Sequence, residues 1–295
     1  MKAKSIWYAF LIGGMFALIS QTVTTFWGFA LGEAGELFVP CLTLVTMGVI
    51  GFILAGYGVY DYFIEWSGFG ALLPFSGFAV GVGNTMLGPW YKGASTGKSI
   101  WAGVFLLIWF NLIIALITII IGLICGALNV TVSAPAAIEG TIIFPLAFVG
   151  GGIICAVFQI LWLIAQAISP KIEVIHMLCF GWIMGAVLCP TGLCTTLIHV
   201  FGQGFGIMLP VGGYQMYNIG WLITANGGAA AGEGFAMLGA FLLAILGLFV
   251  TGLGTFLLYR KNFDRKPMAV THLERAERKV AQYKSMVEAS SSKED

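Results

Sequence analysis

The sequence predicts an all-α polytopic membrane protein built from two inverted repeats, each of three transmembrane helices plus a Gly/Pro-broken re-entrant hairpin. Three observations carry that expectation. The 295 residues are 59% hydrophobic and only 9% charged, against roughly 25% charged in a soluble domain, and apolar runs near 20 residues recur. One glycine-rich stretch occurs twice. Ser67 to Asn84, SGFGALLPFSGFAVGVGN, is echoed by Gln203 to Asn218, QGFGIMLPVGGYQMYN, so that Gly70, Pro74 and Gly77 stand 136 positions before Gly206, Pro210 and Gly213. The basic residues, finally, fall in segments that one topology places on a single side of the membrane.

The spans follow in order. Span 1 is expected over about Ile6–Trp27, with Gly13-Gly14 as a flat face for close helix approach and Gln21 as its lone polar group. A loop with Glu33 and Glu36 leads to span 2, about Phe38–Val59, and then to Asp61 and Glu65, four apart and so on one helix face. After the first Gly/Pro stretch come Lys92 and Lys98, then span 3 over about Ile100–Leu123. The second half repeats the first: Phe10 to Gln21 aligns with Phe148 to Gln159, so Gly13, Gly14 and Gln21 fall on Gly151, Gly152 and Gln159. Span 4 is about Ile142–Ala165, span 5 about Val174–His199, and span 6 about Phe235–Tyr259. The chain thus divides into a first membrane repeat (1–125), an extracytoplasmic linker (126–140), a second membrane repeat (141–260) and a cytoplasmic tail (261–295). In the tail, Thr271 and Glu274 form a capping box ahead of an apolar stripe, Leu273, Ala276, Val280, Tyr283 and Val287, at helical spacing.

Topology turns on the two Gly/Pro stretches. If each is a full crossing, Lys92, Lys98 and Lys171 fall outside. If each dips in and returns, all 14 Lys and Arg lie inside with both termini, while Glu33, Glu36, Glu139 and Glu233 lie outside. The second reading obeys the preference of basic flanks for the cytoplasmic side. Three crossings per half is an odd number, so the halves are then inverted. Broken helices at matching places in inverted repeats mark a solute path near the midplane, and re-entrant backbone is tolerated only where protein or water covers it.

The candidate path residues are therefore Gly70, Pro74, Ser76, Gly77 and Asn84 in the first half, and Gly206, Pro210, Gly212, Gly213, Gln215 and Asn218 in the second. Asp61 and Glu65 are the one close acid pair in the membrane core, and Gln21 and Gln159 are supporting amides that either bind the re-entrant backbone or bridge helices. With no Lys or Arg in the core, an anion would be held by backbone and amide donors near Ser76-Gly77 and Gly212-Gly213. The six cysteines sit in apolar stretches without a CxxC pair, and read as small buried hydrophobes. His176 and His199 are too far apart on one span for a shared site. An integral-membrane enzyme has little support: an HExxH motif and a carboxylate triad are absent from the sequence. A scaffold would not need duplicated helix breaks. Neither a cofactor nor a metal is expected, and a net charge of +1 without a basic patch in the membrane part argues against nucleic acid. A passive channel or transporter for a small solute in the lipid bilayer is the remaining class.

The run Phe10-Leu-Ile-Gly-Gly with Gln21, then Gly58-Val-Tyr-Asp61, then Gly68-Phe-Gly-Ala-Leu-Leu-Pro74-Phe-Ser-Gly77-Phe78-Ala79, resembles the stage V sporulation protein A family, specifically its small AC and AE membrane subunits. Those are single-unit proteins of about half this length; here the unit stands twice, the second copy diverged. The resemblance implies a channel component that moves dipicolinic acid, as its calcium chelate, across the inner spore membrane, with other sporulation membrane subunits or a homo-oligomer as partners. The family usually continues Gly-Phe-Ala with Asn-Ser where this chain has Val80-Gly81. Its Gly-Ala-Gly-Ser/Thr reads Gly68-Phe69-Gly70-Ala71 here, and Leu197 and Phe201 stand where the second copy would carry Asp61 and Glu65.

Overall fold

The computed structural model describes residues 2–169, 171–206 and 208–262 and position 281. The expected tail stripe lies outside the described residues. Eleven α-helices are described: α1 (Lys2–Leu31), α2 (Val39–Gly56), α3 (Val59–Ser67), α4 (Phe69–Leu72), α5 (Phe75–Tyr91), α6 (Thr96–Ala127), α7 (Ile143–Ile168), α8 (Val174–Leu188), α9 (Leu193–Phe205), α10 (Leu209–Thr224) and α11 (Ala231–Asn262). Among the described residues six helices are long and apolar enough to cross a membrane, as expected of an all-α polytopic membrane protein.

Two expected spans are each broken once more than the sequence suggested. Span 2 stops at Gly56 and resumes as α3 after Gly58, whose φ of 72° is a left-handed value that glycine adopts without steric cost. Span 5 stops at Leu188 and passes through a 3₁₀ turn, Cys189–Thr191, before Gly192 at φ 79° starts α9. Pro190, which lacks an N–H, supports that interruption.

Glycine sets how the halves meet. α1 crosses α7 so closely that a Cβ on Gly14 would lie 2.6 Å from the Phe148 carbonyl, and one on Gly152 would lie 2.8 Å from the Phe10 carbonyl. Gly13 faces Cys155, while Gly151 faces Ala17. Each contact has a counterpart with the two helices exchanged, and partners descend along α7 as they ascend along α1. The two helices are therefore antiparallel. The same exchange appears elsewhere. α6, from the first half, packs on α10 of the second; α11, from the second, packs on α2 and α5 of the first. Gly122 and Gly126 let α6 touch the backbone of Tyr217 and Trp221, the close approach that holds helices together where water does not drive packing.

The described Lys and Arg residues whose positions are tied by contacts gather at one end of the bundle. Arg260 Nη1 donates to Thr96 Oγ1 at 3.0 Å and lies over the Trp90 ring, joining the end of α11 to the start of α6 and the end of α5. Tyr259 Oη donates to Asp61 at 2.8 Å, bringing in α3, and Trp66 at the end of α3 meets Tyr8 near the start of α1. Gln159, near the end of α7, donates to Ser5. The opposite end carries the 3₁₀ turn Glu33–Phe38 and the 128–142 connection, where Ile138 N donates to the His199 carbonyl. We call these the basic and acidic ends.

Candidate functional site

The two Gly/Pro stretches meet inside the bundle. α4 ends at Leu72 and α5 begins at Phe75, with Pro74 extended between them at φ −58° and ψ 150°. In the second half Met208 is extended at φ −65° and ψ 141°, and Pro210 falls in the first turn of α10. Pro74 and Met208 form an antiparallel β-bridge. A bridge of two residues between two helix breaks is non-helical backbone in a membrane interior, and it survives because protein covers it on every side: Leu73, Pro74, Phe75 and Met208 are all buried.

One backbone donor at each break is satisfied by a glutamine from the other half. Gln159 Oε1, on α7, accepts from Phe69 N at 3.0 Å; Gln21 Oε1, on α1, accepts from Gly204 N at 2.8 Å. Each half thus caps the backbone at the helix break of the other. Of the two roles open from the sequence, the geometry shows backbone binding, and Gln159 also bridges to Ser5 on α1.

The halves differ in what lies beside the break. In the first, space is filled. Tyr60 Oη donates to the Ala71 carbonyl at 2.8 Å and sits 2.9 Å from Ser76 Oγ. Gly77 N donates to the Pro74 carbonyl at 2.8 Å, and a Cβ on Gly77 would run into the Ala71 carbonyl, so only glycine lets α4 and α5 lie this close. Gly70 packs on Ala9, and Asn84 is buried well along α5. In the second half a cavity of about 190 Å³ opens between α2, α9, α10 and α11. Its mouth is at exposed Leu37 and Gln203 near the acidic end, and Asn218 and Tyr214 line its walls. It narrows past Leu44, Gly206, Gln215 and Phe241 into a void of about 20 Å³ bounded by Phe75, Met208, Gly212 and Trp182. The rings of Phe78, Phe110, Trp182 and Phe241 follow one another at centroid separations of 4.8, 5.2 and 6.2 Å, and the last two line that void.

The structure therefore brings together Gly206, Gly212, Gln215 and Asn218 around one cavity. Several expected residues stand elsewhere. Gly213 packs on the Trp182 carbonyl, and nothing is described of the Pro210 side chain. Of the amides expected near Ser76-Gly77, that of Gly77 donates to the Pro74 carbonyl, the Ser76 hydroxyl is engaged by Tyr60, and neither residue lines the cavity. The acid pair is also separated. Asp61 is only 3% exposed and accepts from Tyr259, whereas Glu65 is exposed, and neither lines the cavity. Four residues on a helix leave an angular offset of about 40°, enough here for one carboxylate to face α11 and the other to face outward. His199 Nδ1 lies 2.6 Å from the Pro135 carbonyl, and His176 Nδ1 accepts from Glu173 N in a capping box, so neither histidine reaches the cavity.

Sequence reasoning missed Trp182, Phe75, Leu44 and Phe241. They are apolar residues inside spans, indistinguishable by pattern from lipid-facing ones. The nearest signal was the pairing of Gly212-Gly213 with Gly181-Trp182, small residues that admit a large ring across a helix contact.

Residues 5–128 match the sequence model of the SpoVAC/SpoVAEB sporulation membrane protein family. That match spans α1 to α6 and the first break and stops where the second half begins. No curated protein and no solved structure matches the chain.

Proposed function

We propose, from the premise that its first half belongs to the SpoVAC/SpoVAEB sporulation membrane protein family, that this integral membrane protein is a channel or transporter component through which a small solute passes. The observation that carries the reading is the meeting of two helix breaks, Pro74 against Met208, with Met208 lining the inner end of a cavity between α2, α9, α10 and α11. Discontinuous helices that meet near the middle of a bundle, with their unwound backbone lining a path, are the arrangement of solute sites in repeat-built transporters. The antiparallel α1 and α7 and the exchange of α6 and α11 support inverted repeats. The gathering of basic residues at one end supports a cytoplasmic assignment for it.

The solute is dipicolinic acid or its calcium chelate, as the family's sporulation role suggests; the small apolar cavity without Lys or Arg in its lining suits a neutral chelate better than a free dianion. The bilayer and this solute are the partners, with other sporulation subunits or further copies of the chain beside them. The test is flux of dipicolinate from liposomes holding the purified protein, with and without calcium. Release faster than from protein-free liposomes, and faster with calcium, is expected; release equal to the protein-free control contradicts the reading.

A further inference from the structure

The Trp182 side chain is 2% exposed, and its indole Nε1–H finds no acceptor among the described residues. A buried N–H left without a partner carries the full desolvation cost of that group, and tryptophan in cores normally finds a partner. Trp182 lines the inner 20 Å³ void, and its Nε1 lies 3.0 Å from where a Cβ on Gly212 would stand. Gly212 lines the same void in the first turn of α10, a helix of 16 residues whose opening N–H groups are unpaired within the helix. Gln215, one turn further on, lines both the void and the outer chamber. Three kinds of donor (an indole, an amide and a helix start) thus converge at the inner end of a chamber whose other walls are mostly apolar.

The dimensions indicate what fits. A void of about 20 Å³ holds one oxygen, since a water needs at least about 10–15 Å³. The chamber of about 190 Å³ is somewhat larger than the roughly 150 Å³ cavity that accepts a benzene ring. A one-ring solute carrying a carboxyl group fills the two together, ring in the chamber and oxygen at the indole. We propose that this is a solute-binding site, with Trp182 as the residue that recognises the carboxyl oxygen of a single-ring carboxylate or carboxylic acid. The proposal rests on the reading of the cavity as part of the solute path and names the recognition made there. No covalent step is involved: the indole donates, the oxygen accepts, and the α10 N-terminus carries the residual positive potential.

The experiment is calorimetric titration of the purified full chain with benzoate and with toluene, which has the ring and not the acceptor. Trp182→Phe keeps a ring in place and deletes the donor. Benzoate should bind the native chain and lose about tenfold or more of its affinity in Trp182→Phe, the scale of a lost hydrogen bond to a charged group, while toluene binding changes little. Gly212→Ala places a methyl against the indole edge and should weaken benzoate similarly; it serves if the phenylalanine variant unfolds. Equal benzoate affinity in the native chain and both variants overturns the site and leaves a trapped water as the partner of the indole. Dipicolinate flux measured on the same preparations separates the two claims. Flux without Trp182-dependent binding removes the site and keeps the path, and Trp182-dependent binding without flux keeps the site and removes the path.

Discussion

Two glutamines and one glycine hold the interior backbone. Gln21 and Gln159 accept from Gly204 N and Phe69 N of the opposite halves, where a membrane interior offers no water in their place. Gln21→Leu and Gln159→Leu should each lower stability by about 1–3 kcal/mol, because each removes the acceptor of a buried backbone N–H, as read by thermal unfolding in detergent. Unchanged unfolding of either variant would contradict that role for its glutamine. Gly77 and Gly81 make a paired test of close approach. A methyl at Gly77 meets the Ala71 carbonyl, whereas nothing lies within 4 Å of one at Gly81. Gly77→Ala should therefore reduce the yield of folded protein, and Gly81→Ala should raise the melting temperature, with about 1 kcal/mol of helix propensity behind it. These glutamines stood out in the sequence because a lone amide in an apolar span has to bind something. Trp182 did not stand out, because its missing acceptor is a property of the packing and not of the chain.

At the scale of elements, the breaks were legible and their closeness was not. Glycine and proline weaken helices by amounts large enough to locate α4, α5 and α10 from composition. That α6 packs on α10 and α11 on α5 required the three-dimensional arrangement, since apolar residues facing lipid and facing protein look alike in a membrane sequence. The interruptions at Gly58 and Gly192 were missed for a related reason: isolated glycines are common in membrane helices, and only their φ values show that these two turn the chain. Asp61 and Glu65 were paired by spacing and parted by Tyr259, a residue 198 positions away from Asp61.

The whole molecule is two interlocked halves whose basic residues gather at one end. Single cysteines added at Lys92, Lys171 and Arg260 should react with an impermeant reagent from one side of the membrane, and cysteines at Glu33 and Glu139 from the other. Labelling of Lys92 and Lys171 from opposite sides would undo the inverted arrangement. The central claim is narrower: solute passes through the neck that joins the two voids. The measurement that tests it most directly is dipicolinate flux through liposomes carrying the native chain or Gln215→Trp, whose indole fills that neck. The account predicts flux in the native protein and its loss in the variant at equal insertion. Equal flux in both would contradict it.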